Sequence, residues 1–128
     1  MSAGHSILIV DDDESIRASL AEVLLDEGYR VATAADGIEA LDYLRHTPEA
    51  PCLILLDLWM PRLNGQGFRE QQLANRDWLS IPVVVISAAA DAAERALALH
   101  ACELLRKPIR LQELLQTVAR NCESTERG

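Results

Sequence analysis

Runs of consecutive apolar residues, rich in Val, Ile and Leu, recur along the chain and predict its strands. Four such runs cover residues 7–10, 53–56, 83–86 and, in a shorter form, 104–106. Uninterrupted runs of this kind are typical of strands that are buried on both faces of a parallel sheet. A fifth, weaker strand is predicted over residues 29–34.

Apolar residues at helical spacing, or polar segments of helical length, follow each of these strands. The predicted helices cover about residues 16–24, 38–44, 66–74, 91–99 and 111–118. Asp91 is expected to cap the Ala-rich fourth helix, because a carboxylate can accept the early backbone N–H groups. The polar tail, residues 123–128, is expected to fray.

Five strand–helix units in 128 residues indicate a single α/β domain, residues 1–128, with a core over about residues 7–121. Strands that alternate with helices build a doubly wound, five-stranded parallel sheet with right-handed crossovers and helices on both faces.

A different polar group follows each of the four stronger strands. The first strand ends in Asp11 and Asp12, the second in Asp57, the third in Ser87 and the last in Lys107. Because ligands of such sheets bind beyond the carboxyl ends of the strands, these groups are expected to converge at one edge. Carboxylates there recruit a hard divalent cation, one of them can act as a nucleophile, and the hydroxyl and ammonium groups can hold a phosphoryl group. The pattern therefore predicts phosphoryl transfer.

Each of these residues also has a purely structural alternative. Asp57 could cap the loop that follows it, Asp12 or Asp13 could cap the first helix, and Ser87 could cap the next turn. Carboxylates about 5 Å apart, however, repel by about 3 kcal/mol per pair at an effective dielectric constant of about 20. Capping does not require this cost, whereas bound Mg²⁺ turns the repulsion into attraction. Lys107 also needs a partner at the end of a buried strand, and we expect that partner to be Asp57.

The same residues resemble the receiver domain of two-component response regulators. The matching pieces, in the family's order and spacing, are Val10-Asp11-Asp12-Asp13, Leu55-Leu56-Asp57 with Met60-Pro61 and Gly65, Ser87-Ala88, and Lys107-Pro108. The resemblance extends from about Ile7 to about Asn121.

The resemblance implies the flavodoxin-like strand order 2-1-3-4-5 and a role for each site residue. Asp57 would be the phosphoacceptor, and Ser87 and Lys107 would contact the phosphoryl group. Asp12, Asp57 and the backbone carbonyl of Trp59 would bind Mg²⁺ directly, and Asp11 through water. The resemblance also implies a cis Lys107–Pro108 bond.

The implied partners are a sensor histidine kinase or a histidine phosphotransfer protein, and a downstream output protein or a missing output domain. The output partner would bind near the fourth helix, the fifth strand and the fifth helix. A stand-alone regulator, a fragment of a longer protein and the receiver of a hybrid kinase all remain open.

Two positions, Leu104 and His100, depart from the family pattern, and a third, Trp59, is a bulky choice next to the site. Leu104 stands where receivers usually carry Tyr or Phe, so it cannot reproduce the aromatic side chain that usually moves on phosphorylation. His100 stands where Gly is common. The Trp59 side chain is interpreted as a partly exposed aromatic packed on its loop, with shielding of the acyl phosphate as the alternative.

Composition excludes several other classes of protein. The net charge of −8, from 20 acidic and 12 basic residues, argues against direct nucleic-acid binding, which needs a basic face. No apolar run approaches the ~18 residues that a membrane helix needs, and the N-terminus lacks the basic region of a signal peptide. The three cysteines, Cys52, Cys102 and Cys122, show no Cys-x-x-Cys spacing and are expected to be reduced thiols of a cytoplasmic protein.

Two other functions fit parts of the pattern. Asp11 to Ser15 also resembles the motif of haloacid-dehalogenase-like phosphatases, with Asp11 as nucleophile and Asp13 as acid/base. That assignment leaves Met60-Pro61 and Ser87-Ala88 unexplained, and turnover of a phosphomonoester would favour it. The second alternative is a receiver-fold interaction module that is not phosphorylated, which failure to bind Mg²⁺ would support.

Overall fold

The structure is a computed structural model that describes the backbone of residues 5–127 and the side chains of residues 5–122. Strands and helices alternate along it. They are β1 (Ser6–Val10), α1 (Glu14–Asp26), β2 (Arg30–Ala34), α2 (Gly37–His46), β3 (Leu53–Asp57), α3 (Gly65–Leu73), β4 (Val83–Ser87), α4 (Ala92–Ala98), β5 (Glu103–Arg106) and α5 (Leu111–Arg127). All strand pairs are parallel, in the order β2-β1-β3-β4-β5. The predicted fold class and strand order are both confirmed.

The apolar runs form a sheet whose central strands bury both faces. Along β1, Ile7 and Ile9 pack on the side of α1 and α5, whereas Leu8 and Val10 pack on the side of α2 and α3. Every residue of β3 and β4 is buried. This explains why the strands appear as continuous apolar runs rather than as alternating ones.

Helix α4 is anchored by a much smaller apolar cluster than the other helices. The buried members of this cluster are Leu58, Val85 and Ala96, and Leu104 packs against them. With seven residues, α4 is also short. Its position therefore depends strongly on contacts at its two ends.

Short polar side chains begin three of the helices as N-caps. The carboxylates of Asp13 and Asp36 and the amide oxygen of Asn64 each accept a backbone N–H three residues later. The capping predicted for Asp91 is wrong, although Asp91 does occupy the N-cap position. Its backbone is not extended, and its carboxylate instead accepts a hydrogen bond from Arg95 Nε at 2.7 Å.

The expectation that all three cysteines are reduced thiols is wrong. Cys52, ahead of β3, and Cys122, on α5, form a disulfide although 70 residues separate them. Only the packing of α5 against the sheet brings their Cα atoms to 5.2 Å, a proximity that sequence spacing cannot reveal. Helix α5 continues to Arg127 and so includes residues 123–127 of the polar tail, while residue 128 lies outside the described residues.

No helix within residues 5–127 combines the length and the apolar character that are needed to cross a membrane.

Candidate functional site

Three carboxylates meet at the carboxyl edge of the sheet. Asp11 follows β1 and Asp57 ends β3, which are neighbouring strands. Together with Asp12, they present oxygens that all lie within 4.8 Å of one another. Asp11 and Asp57 are buried, with 0% and 5% exposure, while Asp12 is open to solvent. The fold thus brings together three acidic residues that the sequence pattern could only assign to the ends of two separate strands.

This crowding changes the protonation of Asp57. Burial, followed by repulsion from Asp11, raises the pKa of Asp57 to about 6. Asp12 acts in the same direction, and Lys107 opposes it. The carboxylate is therefore mostly ionised at neutral pH, but at a free-energy cost that a cation would relieve.

Lys107 lies between the two buried carboxylates and is closer to Asp11 than to Asp57. Its Nζ is 2.8 Å from Asp11 Oδ2 and 3.7 Å from Asp57 Oδ1. Burial alone would lower the pKa of Lys107, but Asp11 and Asp57 outweigh it and raise that pKa. Asp57 is thus a partner as predicted, but the nearer partner is Asp11.

The donor set fits a hard divalent cation. Asp11 Oδ2 is buried, and its partner among the described residues is the Lys107 ammonium at 2.8 Å. The other oxygen of Asp11 accepts the backbone N–H of Asp13 at 2.9 Å. Mg²⁺ binds carboxylate oxygens and usually keeps several water ligands. The three carboxylates supply such oxygens, and the exposed Asp12 leaves the site accessible to water.

Ser87 ends β4 beside this cluster and is 2% exposed. Its Oγ accepts the backbone N–H of Ala89 at 3.1 Å, so the hydroxyl caps the turn that follows. Because Oγ is the acceptor in that bond, its proton is left to donate elsewhere. The backbone of Ser87 also accepts the N–H of Lys107 at 3.0 Å, and the Lys107–Pro108 bond that follows is cis, as expected.

Gly65 allows α3 to begin directly against the nucleophile candidate. A Cβ at this position would lie 2.6 Å from the backbone oxygen of Asp57. The Gly65 N–H also donates to the carbonyl of Leu58 at 3.0 Å. The glycine in the sequence motif is thus explained by a close approach of two backbones.

Residues 7–119 match the family model of the response regulator receiver domain. The chain belongs to this family. Response regulator MprA of Mycobacterium sp. (strain KMS) is 40% identical over 111 residues, which are 85% of this chain and 46% of that protein. The chain therefore spans about half the length of the curated relatives it matches.

Solved receiver structures superpose closely on the chain. The signal receiver domain of a signal transduction histidine kinase from Syntrophus aciditrophicus has a TM-score of 0.89 at 28% identity, covering 98% of this chain and 95% of that one. Chemotaxis protein CheY4 of Vibrio cholerae has a TM-score of 0.83 at 30% identity, covering 93% and 99%. The chain is therefore a receiver domain of two-component signalling.

Trp59, on the loop after Asp57, contacts α4 in this receiver. Its side chain is 53% exposed, and the guanidinium of Arg95 lies 4.6 Å from the centroid of its ring. Arg95 is held in turn by Asp91. The expected partly exposed aromatic is confirmed, but its contact on α4 was not predicted, since residues 36 positions apart show no local pattern.

Sequence analysis also missed Arg69, a buried arginine on α3. Its three nitrogens donate to the backbone oxygens of Leu99 and His100 and to the Oε1 of Gln72, at 2.9, 3.0 and 2.8 Å. Burial lowers the pKa of Arg69. The guanidinium thereby satisfies carbonyls at the C-terminal end of α4. The one available signal was an arginine and a glutamine three positions apart on a helix that was predicted from a polar segment.

His100 adopts the left-handed conformation, with φ of 57°. Glycine adopts this conformation without steric cost, which accounts for the Gly that is common at this position in receivers; nothing in the structure explains the His. Leu104 packs on the α4 side of the sheet beside Val85. At the position where receivers usually carry Tyr or Phe, this chain therefore makes a smaller apolar contact through Leu104.

Proposed function

We propose that this receiver domain accepts a phosphoryl group from a phosphohistidine onto Asp57, in a Mg²⁺-dependent reaction. The observation that carries the proposal is the buried Asp57 carboxylate, grouped with Asp11 and Asp12 and with Lys107 at 3.7 Å. A carboxylate that serves only as a loop cap has no need of two further acids and an ammonium group around it.

The proposed ligands of Mg²⁺ are Asp12, Asp57 and the carbonyl of Trp59, with Asp11 acting through water. When bound, the ion would offset the negative charge of the carboxylates and of the incoming phosphoryl oxygens. Asp57 is ready to attack because its pKa of about 6 leaves it mostly ionised at neutral pH.

In the transfer, an oxygen of Asp57 attacks phosphorus, the phosphorus–nitrogen bond breaks, and the histidine leaves with the bonding electrons. Lys107, already within 4 Å of Asp57, would neutralise a phosphoryl oxygen. The Ser87 hydroxyl has a proton to donate to another oxygen. Water attack on the acyl phosphate would later release inorganic phosphate and restore the carboxylate, so the domain catalyses its own phosphorylation and slow dephosphorylation.

An apolar groove of about 450 Å³ beside Lys107 suits the protein that carries the phosphohistidine. It lies between α1 and the segment after β5, and its apolar lining includes Ile16, Leu20, Pro108 and Ile109. We assign this groove to a sensor histidine kinase or a histidine phosphotransfer protein, since the donor histidine must approach Asp57 from a neighbouring surface. The output is a downstream protein or an output domain, not nucleic acid bound by this domain, and the proposed location is the cytoplasm.

The haloacid-dehalogenase-like alternative loses support from the geometry. It requires Asp13 as acid/base, but Asp13 Oδ1 caps α1 by accepting the N–H of Ile16 at 3.2 Å. Nothing in the site favours it over acceptance by Asp57.

The test is incubation with a small phosphodonor, such as acetyl phosphate, with and without Mg²⁺, followed by intact-mass analysis. We expect one acid-labile phosphoryl group in the wild type, and none in Asp57→Asn. Asp77→Asn, a change at an exposed acid, should be phosphorylated normally. Full phosphorylation of the Asp57 variant, or modification at Asp11, would refute the assignment.

A further inference from the structure

We propose that Arg95 of α4 is a positioning residue for the metal site, because it holds Trp59 and thereby the loop that follows Asp57. The inference rests on the proposed function, in which the carbonyl of Trp59 binds Mg²⁺. It adds a residue outside the acid cluster and makes the placement of α4 a determinant of Mg²⁺ affinity.

The side chains of Arg95 and Trp59 are in contact. The Arg95 guanidinium lies over the face of the Trp59 indole, 4.6 Å from the ring centroid. At this distance a cation and an aromatic face attract each other. Trp59 comes two residues after Asp57, so a restraint on its side chain also restrains the backbone that carries the proposed ligand carbonyl.

Arg95 is itself held in place by Asp91. Its Nε donates to Asp91 Oδ2 at 2.7 Å, and Asp91 makes no side-chain capping bond to the helix. Asp91 therefore uses its carboxylate to orient the guanidinium rather than to stabilise the start of α4. Asp91, Arg95 and Trp59 form a continuous link from α4 to the loop.

Helix α4 has few other attachments to the rest of the domain. Its apolar cluster has three buried residues, and the Arg69 guanidinium holds its C-terminal end to α3. In the middle of α4, Arg95 reaches Trp59, while the neighbouring Ala96 lies in the same apolar cluster as Leu58 of that loop. Movement of α4 would therefore displace Trp59, and by linkage Mg²⁺ binding would restrain α4 to the same extent.

The experiment measures Mg²⁺ affinity from the amide chemical shifts of residues 57–59 during titration. The variants are Arg95→Gln, Trp59→Leu and the double variant, with Arg95→Lys as the conservative replacement. Arg76→Gln, a change at an exposed arginine after α3, is the matched control. We expect Arg95→Gln to weaken Mg²⁺ binding about two- to fivefold, Arg95→Lys to restore most of the affinity, and the control to have no effect.

The double variant separates positioning from a general loss of stability. If Arg95 acts through Trp59, the double variant should bind Mg²⁺ no more weakly than Trp59→Leu alone. Near-UV circular dichroism in a Trp78→Phe background should show a Trp59 signal that Arg95→Gln reduces and Arg95→Lys keeps. Equal Mg²⁺ affinity in wild type and Arg95→Gln, or additive losses of affinity in the double variant, would overturn the role of Arg95 but not the proposed function. A wild type that binds no Mg²⁺ would overturn the proposed function together with it.

Discussion

Replacing Asp57 with Asn should stabilise the fold at neutral and alkaline pH, although it removes the residue on which the proposed function depends. The pKa of Asp57 is raised from 3.8 to about 6, chiefly by burial and next by Asp11. Each pKa unit corresponds to about 1.4 kcal/mol, so the ionised carboxylate costs the metal-free fold up to about 3 kcal/mol. Since Asn carries no charge, the variant avoids this cost.

The sign of the pH dependence follows from the direction of the shift. The folded state binds the Asp57 proton more tightly than the unfolded chain does. Above pH 6 the wild type is therefore destabilised by the full amount, between pH 6 and about 4 the penalty shrinks, and below that it is absent. The advantage of Asp57→Asn should follow the same course, being largest near pH 8.

Urea unfolding in chelator-treated buffer at pH 8, 6 and 4.5 tests this reasoning. We expect Asp57→Asn to be more stable than wild type by about 1–3 kcal/mol at pH 8, and the difference to fall to about a third of that value at pH 4.5. Asp77→Asn serves as the control for loss of an exposed acid and should show no such trend. Added Mg²⁺ should stabilise wild type more than the variant. A variant that is less stable at pH 8, or whose advantage does not change with pH, would refute the electrostatic account.

Three further predictions concern features outside the acid cluster. His100→Gly should raise the free energy of unfolding by about 1 kcal/mol, because φ of 57° strains a residue with a Cβ; a lower urea midpoint would contradict this. Arg69→Met should lower the free energy of unfolding by about 2–3 kcal/mol, because the backbone carbonyls of Leu99 and His100 lose their donors, whereas Arg76→Met should be neutral. Equal urea midpoints for wild type and Arg69→Met would show that water replaces the guanidinium. Thiol titration of the denatured, non-reduced protein should find one free thiol and, after reduction, three. The Cys52–Cys122 disulfide closes a 70-residue loop and should stabilise the fold by about 4 kcal/mol. Three thiols without reductant would show that the disulfide is not formed.

Much of the fold, and the position of the candidate site at the carboxyl edge of the sheet, could be predicted from the sequence, because the signals are local. A strand buried on both faces must be apolar throughout, so β1, β3 and β4 appear as runs of Val, Ile and Leu. Polar residues follow those runs because each strand ends at the edge of the sheet, where its side chains are no longer covered on both faces. The strand order and the cis bond before Pro108 came instead from the resemblance to receivers, since neither has a signal in the pattern of apolar residues.

Only the tertiary structure decided which side chains meet. Lys107 is closer to Asp11 than to Asp57, Cys52 bonds to Cys122, and Arg69 holds the end of α4. These contacts join elements distant in the chain, and their partners depend on the direction in which each backbone presents its side chain. A charged group or a thiol in the sequence indicates that a bonding partner would be favourable. Which of several possible residues is that partner depends on the distances between side chains, and only the folded chain sets those distances.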